Sequence, residues 1–307
     1  MTQTPDLTCR IGDLTFQNPV LTASGTFGYG DEAGDLIPLK DLGGIVTKSV
    51  TLEPRAGSPP PRTCETPAGM INSIGLANIG VKRLVKEKYP VLKQLGCRVI
   101  VNIAGGSIDE YVRILEIAET EEGADAYEIN ISCPNTEHGG IFFGVDAQMC
   151  FNVISTLRDV TDKPIIAKLT PNVTNITEPA RAARDAGADA VSLINTMVGM
   201  AVNVKTRRPR IRNVMGGLSG PAIRPIAIAK VFEIACSVDI PIIGIGGIGT
   251  AEDALEFILA GASLIEIGTA NFYDPQAPIS IIRGIEEYMR EQGVASVEEL
   301  IGGLQYV

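Results

Sequence analysis

The sequence predicts an α/β protein, a (β/α)₈ TIM barrel with an N-terminal hairpin and insertions after strands 2 and 6. Three observations predict it. Short apolar runs of strand length alternate with amphipathic helical patterns, and such alternation builds a parallel sheet. Eight such runs can be counted, one for each barrel strand. Most stop on polar or glycine residues, and the C-terminal ends of the strands are where barrels carry their chemistry.

The elements follow in order. Residues 8–16 read as a hairpin turning at Gly12 and Asp13. The strands are 20–23, 44–48, 99–103, 126–132, 165–169, 190–194, 242–245 and 264–267. Between them, 108–119, 147–160, 179–186, 222–235 and 251–259 repeat apolar residues three and four apart, the period of a half-buried helix. Ala186-Gly187-Ala188 and Ala260-Gly261-Ala262 stop helices and feed the next strand. A barrel typically needs about 250 residues, so the 307 present leave a surplus. It falls at 51–79, after the second strand, and at 197–218, after the sixth. Insertions there emerge on the catalytic face, where they read as substrate walls or lids, or as decorative loops. Residues 1–307 are read as one domain.

Composition narrows the function. Net charge is −10, and the 26 Lys and Arg form no basic stripe, which argues against nucleic acid or an anionic membrane and for a small-molecule ligand. No window holds the roughly 18–20 uninterrupted apolar residues of a membrane span, and MTQTPDLTCR lacks a signal-peptide core, so a cytoplasmic protein is expected. Six cysteines, at 9, 64, 97, 133, 150 and 236, form no C-x-x-C pair, so no metal centre and no disulfide scaffold is expected. His138 is the single histidine, which excludes sites built on two imidazoles and most histidine-base designs.

The chemistry-bearing residues gather at strand ends. AYEINISCPN, residues 126–135, runs an apolar strand into Cys133, Pro134 and Asn135. A thiol with pKa near 8.5 supplies some thiolate at neutral pH for a base or nucleophile; the bland alternative is an inert core cysteine, which suits the other five. Asn72, Asn102, Asn130, Asn135 and Asn195 offer paired donors and acceptors and suit a planar ligand with alternating C=O and N–H groups, such as a pyrimidine. Lys48 and Lys168 end strands on opposite sides of the barrel, where an anionic substrate and an electron-rich cofactor need positive charge; a Schiff-base lysine is the alternative.

Late in the chain, GIGGIG (244–249) and IGTAN (267–271) end strands seven and eight, the usual phosphate site of a barrel, and 216–220 could add a third wall. Tight packing alone would also explain such glycines. The G-x-G-x-x-G spacing at Gly244, Gly246 and Gly249 lacks the opening position and following acidic strand end of a dinucleotide fold, so a mononucleotide is favoured over NAD.

The blocks NPVLTASGTFGYG, GGIVTKSVTLEPR, NSIGL, EINISCPN, LSGPAI and IPIIGIGGI together resemble the dihydroorotate dehydrogenases, specifically the catalytic subunits of the NAD-linked class 1B enzymes, over essentially the whole chain. The resemblance implies an FMN-holding barrel that oxidises (S)-dihydroorotate to orotate in pyrimidine synthesis. It implies that Cys133 takes the C5 proton while hydride leaves C6 for flavin N5. A serine at that position marks the membrane-bound class, so the cysteine favours class 1. By the same resemblance Lys48, Asn72, Ser73, Ile74, Gly75, Leu76, Asn130, Asn135, Asn195 and Thr196 hold the substrate. Ser24, Lys48, Ser49, Asn102, Asn130, Lys168, Ile194, Gly220, Gly246, Gly247, Gly268 and Thr269 contact FMN, with Lys168 favouring the anionic reduced flavin. His138, in the same loop as Cys133, would either tune the thiol or stand solvated. Residues 75–80 read GLANIG where the class pattern is GLQNPG.

Class 1B enzymes pass electrons to a partner subunit carrying FAD and a 2Fe-2S cluster, and then to NAD⁺, in an α₂β₂ assembly. The chain has no cysteine spacing for such a cluster, which fits needing that partner. The rivals are a class 1A homodimer using fumarate, a tRNA dihydrouridine synthase, which would need a basic surface, and a catalytically silent FMN-binding scaffold subunit.

Overall fold

The strands are short and buried on both faces, as β-branched runs such as IVN, IIAK and IIGI require. In the computed structural model, which describes residues 4–30, 32, 36–132 and 144–306, eight of them close into a parallel barrel in sequence order. They are Val20–Thr22, Gly44–Val46, Arg98–Ile103, Ala126–Asn130, Ile165–Lys168, Ala190–Leu193, Ile242–Ile245 and Leu264–Ile267. Strand eight returns to strand one with Ile265 opposite Val20 and Ile267 opposite Thr22, which closes the cylinder. The predicted hairpin is present as Cys9–Ile11 paired with Leu14–Phe16.

Several predicted runs overshoot the observed strands by one or two residues at their C-terminal ends. The reason lies in the polar residues there: Ile131 N turns back to Ile129 O (3.0 Å) and Ser132 Oγ donates to Lys168 O (2.7 Å), so the chain leaves the ladder at Asn130. Register then sets Asn130 beside Lys168.

Helices cover the barrel with the face that their spacing predicts. Ile108–Ala118 buries Tyr111, Ile114, Leu115 and Ala118, capped by Ser107, whose side chain accepts from Glu110 N. Ala147–Arg158 buries Cys150, Val153, Ile154 and Leu157 behind an Asp146 cap. Thr177–Asp185, Arg224–Ala235 and Ala251–Leu259 also form where the periodicity places helices. Two helical segments had no counterpart in the sequence reading. Ala277–Gln292 packs after strand eight, and 81–92 follows strand two with a wide turn at Leu84–Lys88 that breaks the 3.6-residue period.

The two insertions form one structure. Thr63–Thr66 and Gly69–Asn72 from the first, with Met197–Met200 and Met215–Ser219 from the second, make a four-stranded antiparallel sheet. Its central register pairs Gly217 with Asn72 and Ser219 with Met70. Asn213 Nδ2 donates to both Ser58 Oγ (3.1 Å) and Ser73 Oγ (2.8 Å), a further tie between the insertions. The insertions are therefore ordered sheet structure and not loose decoration.

Among the described residues, no helix is long and apolar enough to cross a membrane. A cleft of about 780 Å³ opens at the strand starts near Gly43, Arg98 and Asp125, the end of the barrel opposite the functional strand ends.

Candidate active site at the barrel mouth

The interior of the mouth is built on a charged cluster. Lys168, the last residue of strand five, extends its ammonium across the barrel to Glu128 on strand four (Oε2 3.0 Å, Oε1 3.3 Å) and Glu266 on strand eight (Oε2 3.4 Å). It also donates to Ser24 Oγ just past strand one (3.3 Å). Burial disfavours the Lys168 ammonium, but the two carboxyls outweigh it and hold its pKa above the usual lysine value. Burial works against a Glu128 anion as well, and Lys168 with the surrounding donors prevails, keeping its pKa low. Ser192 Oγ (2.7 Å) and Asn102 Nδ2 both donate to Glu128.

Asn102 carries the test of whether the expected flavin fits. Its side chain is fully buried at the end of strand three, yet its Oδ1 has no hydrogen-bond partner among the described residues. A buried carbonyl left without a donor is uncommon, and a flavin's imide N–H is the kind of group that would satisfy it. The Lys168 charge beside Ser24 and the glycine-rich strand ends suit the rest of the cofactor. Val50 N donates to Asn102 O (2.9 Å) and Asn102 N donates to Thr47 Oγ1 (3.3 Å), so buried Ser49 lies in a loop tied to this same strand end.

Lys48 is different. Its backbone N–H donates to Gly28 O (2.8 Å), and its half-buried side chain has no carboxylate partner among the described residues. Burial first, and the positive charge of Arg62 second, hold its pKa below the usual lysine value. Neighbouring positive charges of this kind favour an anion. Arg62 carries no signal in the sequence, because it lies in a proline-rich insertion that only the fold brings near Lys48.

The polar wall comes from the joined insertions and strand six. Asn72 Nδ2 donates to Gly217 O (3.3 Å), and a Cβ on Gly217 would overlap Thr196 Oγ1, so glycine there lets Thr196 close up against the sheet. Asn195 N bonds to Leu169 O (3.1 Å), one residue beyond Lys168, and Asn195 Oδ1 accepts from Thr196 N (2.8 Å). Ile194 follows a cis peptide and bonds to Ile245 O (2.9 Å). The Ile74–Leu76 turn holds Leu76 at a positive φ of 53°. Asn78, shared by GLANIG and the class pattern, steadies it by donating to Leu76 O (2.7 Å) and accepting from Gly80 N (2.7 Å). Tyr111 OH donates to Asn130 O (2.8 Å) and fixes the end of strand four.

At the glycine-rich end, Gly220, Gly246, Gly247, Gly268 and Thr269 lie after strands six, seven and eight. A Cβ on Gly247 would come 2.7 Å from Gly220 O, so the two loops touch. Thr269 Oγ1 donates to Ser219 Oγ (2.9 Å) and begins a short helix, whose first N–H groups have no partner within it. The helix after strand seven supplies less than its sequence suggests: Asp253 already accepts from Gly249 N (2.9 Å) and Thr250 N (3.0 Å) in a capping box. An anion there is left to Gly246, Gly247, Gly268 and Thr269.

Cys133, Asn135 and His138 lie outside the described residues. The other five cysteines are free thiols, and burial pushes Cys9, Cys97 and Cys150 up to about 12, which suits inert residues. The interior acids Glu128 and Glu266 were also missed. Their signal was legible, since a lone Glu in AYEIN and in LIEIG is out of place in an otherwise apolar buried strand.

Comparison with known proteins agrees with the geometry. The family model described as dihydroorotate dehydrogenase matches residues 6–289. A Geotalea uraniireducens protein is 50% identical over 300 residues, covering 98% of both chains. A Geobacter sulfurreducens protein is 50% identical over 303 residues, covering 99% of both. One from Bacteroides thetaiotaomicron is 49% identical over 300 residues, 98% of this chain and 99% of its own. All three carry the name dihydroorotate dehydrogenase B (NAD(+)), catalytic subunit.

Proposed function

The chain belongs to the dihydroorotate dehydrogenase family, and on that premise we propose that it is the catalytic subunit of an NAD-linked enzyme that oxidises (S)-dihydroorotate to orotate in pyrimidine biosynthesis. The observation that carries this reading is the Lys48 ammonium: half-buried, beside Arg62, without a carboxylate partner among the described residues, and so suited to the substrate carboxylate.

Each residue then has a task. Lys48 holds the carboxylate, while Asn72, Asn130, Asn135, Asn195 and Thr196 read the alternating C=O and N–H edge of the pyrimidine, with Ser73, Ile74, Gly75 and Leu76 shaping the turn beside it. Cys133 is the base: its thiolate takes the proton from C5 and becomes the thiol, and the C5–H electron pair stays with the substrate to form the C5=C6 double bond. It is the next residue in sequence after Ser132, whose side chain is anchored on Lys168 O. A positioned base contributes typically about 10²- to 10⁴-fold. FMN, when bound, supplies the hydride acceptor for C6. Asn102, Asn130, Lys168, Ser24, Ser49 and Ile194 would hold its ring end, and Gly220, Gly246, Gly247, Gly268 and Thr269 its phosphate. The ammonium of Lys168 keeps a fixed positive charge at the mouth that favours negative charge arriving there.

The reading extends to a cytoplasmic α₂β₂ assembly in which two copies of this chain work with two subunits carrying FAD and a 2Fe-2S cluster. The word "subunit" in the relatives' names supports a partner. Anaerobic addition of dihydroorotate to the FMN-loaded chain tests the core of the proposal. Bleaching of the visible flavin band is expected, and a band that persists with FMN bound would refute the substrate.

A further inference from the structure

The Lys168, Glu128 and Glu266 side chains are 6%, 0% and 0% exposed, so their charges must balance with little help from water. Two ionised carboxyls against one ammonium would bury a net negative charge, which is strongly unfavourable. The two acids are not equivalent. Glu128 is surrounded by donors, from Ser192 Oγ (2.7 Å), Asn102 Nδ2 and Lys168 Nζ (3.0 Å). Glu266 receives only the longer Lys168 contact of 3.4 Å, and its Oε1 has no partner among the described residues. Both carboxyls meet the same ammonium, Glu128 Oε2 at 3.0 Å and Glu266 Oε2 at 3.4 Å from Lys168 Nζ, which brings the two acids together around one charge. Donors stabilise an ionised carboxyl and their absence a neutral one.

Resting on the reading of this mouth as an FMN site, we propose that Glu128 and Glu266 share a single proton, Glu128 as the carboxylate and Glu266 as the neutral acid that donates to it. Lys168 then stands in a triad of zero net charge, and Glu266 is a positioning residue that braces it without adding charge. Burial first, and the neighbouring Glu128 charge second, push the Glu266 pKa well above the ordinary carboxyl value, in the same direction. The remaining groups that hydrogen-bond to the triad, Ser24, Ser192 and Asn102, are neutral. The consequence is electrostatic. A second carboxylate would oppose the negative charge that FMN gains on reduction, whereas a neutral acid does not.

The test pairs two readouts. Infrared spectroscopy of the chain should show the C=O stretch of a buried protonated carboxyl that disappears in Glu266→Gln; no such band in the parent would overturn the assignment. Anaerobic redox titration of the FMN-loaded protein should give Glu266→Gln the parent midpoint, because glutamine reproduces a neutral acid. Removing the triad's one negative charge in the E128Q/E266Q double variant should move the reduction equilibrium toward reduced FMN by about tenfold, ~30 mV for a two-electron couple. A single E266Q variant that already shows this shift would mean that Glu266 is ionised and would overturn the proposal. A chain that binds no FMN would instead refute the cofactor reading and leave the infrared result standing on its own.

Discussion

Replacing Lys48 with methionine separates the substrate's anion site from the fold around it. The substitution keeps an unbranched side chain and removes the charge. A hydrogen bond to a charged group contributes about 1.5–3 kcal/mol, so the variant should bind orotate about 10- to 150-fold more weakly. The assay is titration of orotate into the FMN-loaded protein, followed by perturbation of the flavin spectrum. The pH dependence has a definite sign. Burial and Arg62 hold the folded pKa of Lys48 below its unfolded value, so parent affinity should fall as pH rises through that depressed value, before an ordinary lysine would titrate. Between the two pKa values the unfolded chain binds the extra proton, so stability rises with pH across that window and the Lys48 charge opposes folding below it. The methionine variant should therefore be no less stable than the parent at neutral pH. Undiminished orotate affinity would refute the role assigned to Lys48. Weaker binding accompanied by a lower Tm would refute the separation of binding from folding.

Cys133→Ala should keep FMN and lose turnover by about 10²- to 10⁴-fold; steady-state rates at saturating dihydroorotate decide this, and unchanged turnover would remove the thiol from the mechanism. The purified chain without its partner should reduce NAD⁺ negligibly while dihydroorotate still bleaches its flavin, which stopped-flow absorbance can follow; brisk NADH formation would sink the need for a second subunit. Gly217→Ala should raise KM for dihydroorotate and leave FMN content intact, because the added methyl meets Thr196 Oγ1. Thiol labelling read by mass spectrometry should modify exposed Cys236 well before buried Cys150, whose pKa is pushed up to about 12.

The strand-end residues were legible because each belongs to a short window with its own pattern. Lys168 closes the four-residue strand IIAK, and Asn195 with Thr196 follows another apolar run. Such runs are bounded by their own polar residues, which leave the ladder to satisfy side-chain and turn hydrogen bonds. The helix at 81–92 was not legible, because Pro90 and the wide turn at Leu84–Lys88 disturb the period on which such a reading depends. The capping of the helix after strand seven was not legible for a related reason: Asp253, four residues on from Gly249, takes the N–H groups of Gly249 and Thr250, and a glycine pattern alone does not reveal that competitor.

By itself the sequence determined the barrel, since hydrophobic periodicity is a local property that dictates which segments form strands or helices and in what order. It also determined which residues stand at the strand ends. Tertiary structure decided the relations across the barrel. Glu128 and Glu266 are 138 residues apart and meet Lys168 only because strand eight closes onto strand one. Arg62 joins Lys48, and Asn72 joins Gly217 and Thr196, only because insertions from strands two and six pair into one sheet. Electrostatic and hydrogen-bond energies depend on distance in space, and no local sequence pattern encodes a register between segments so far apart along the chain.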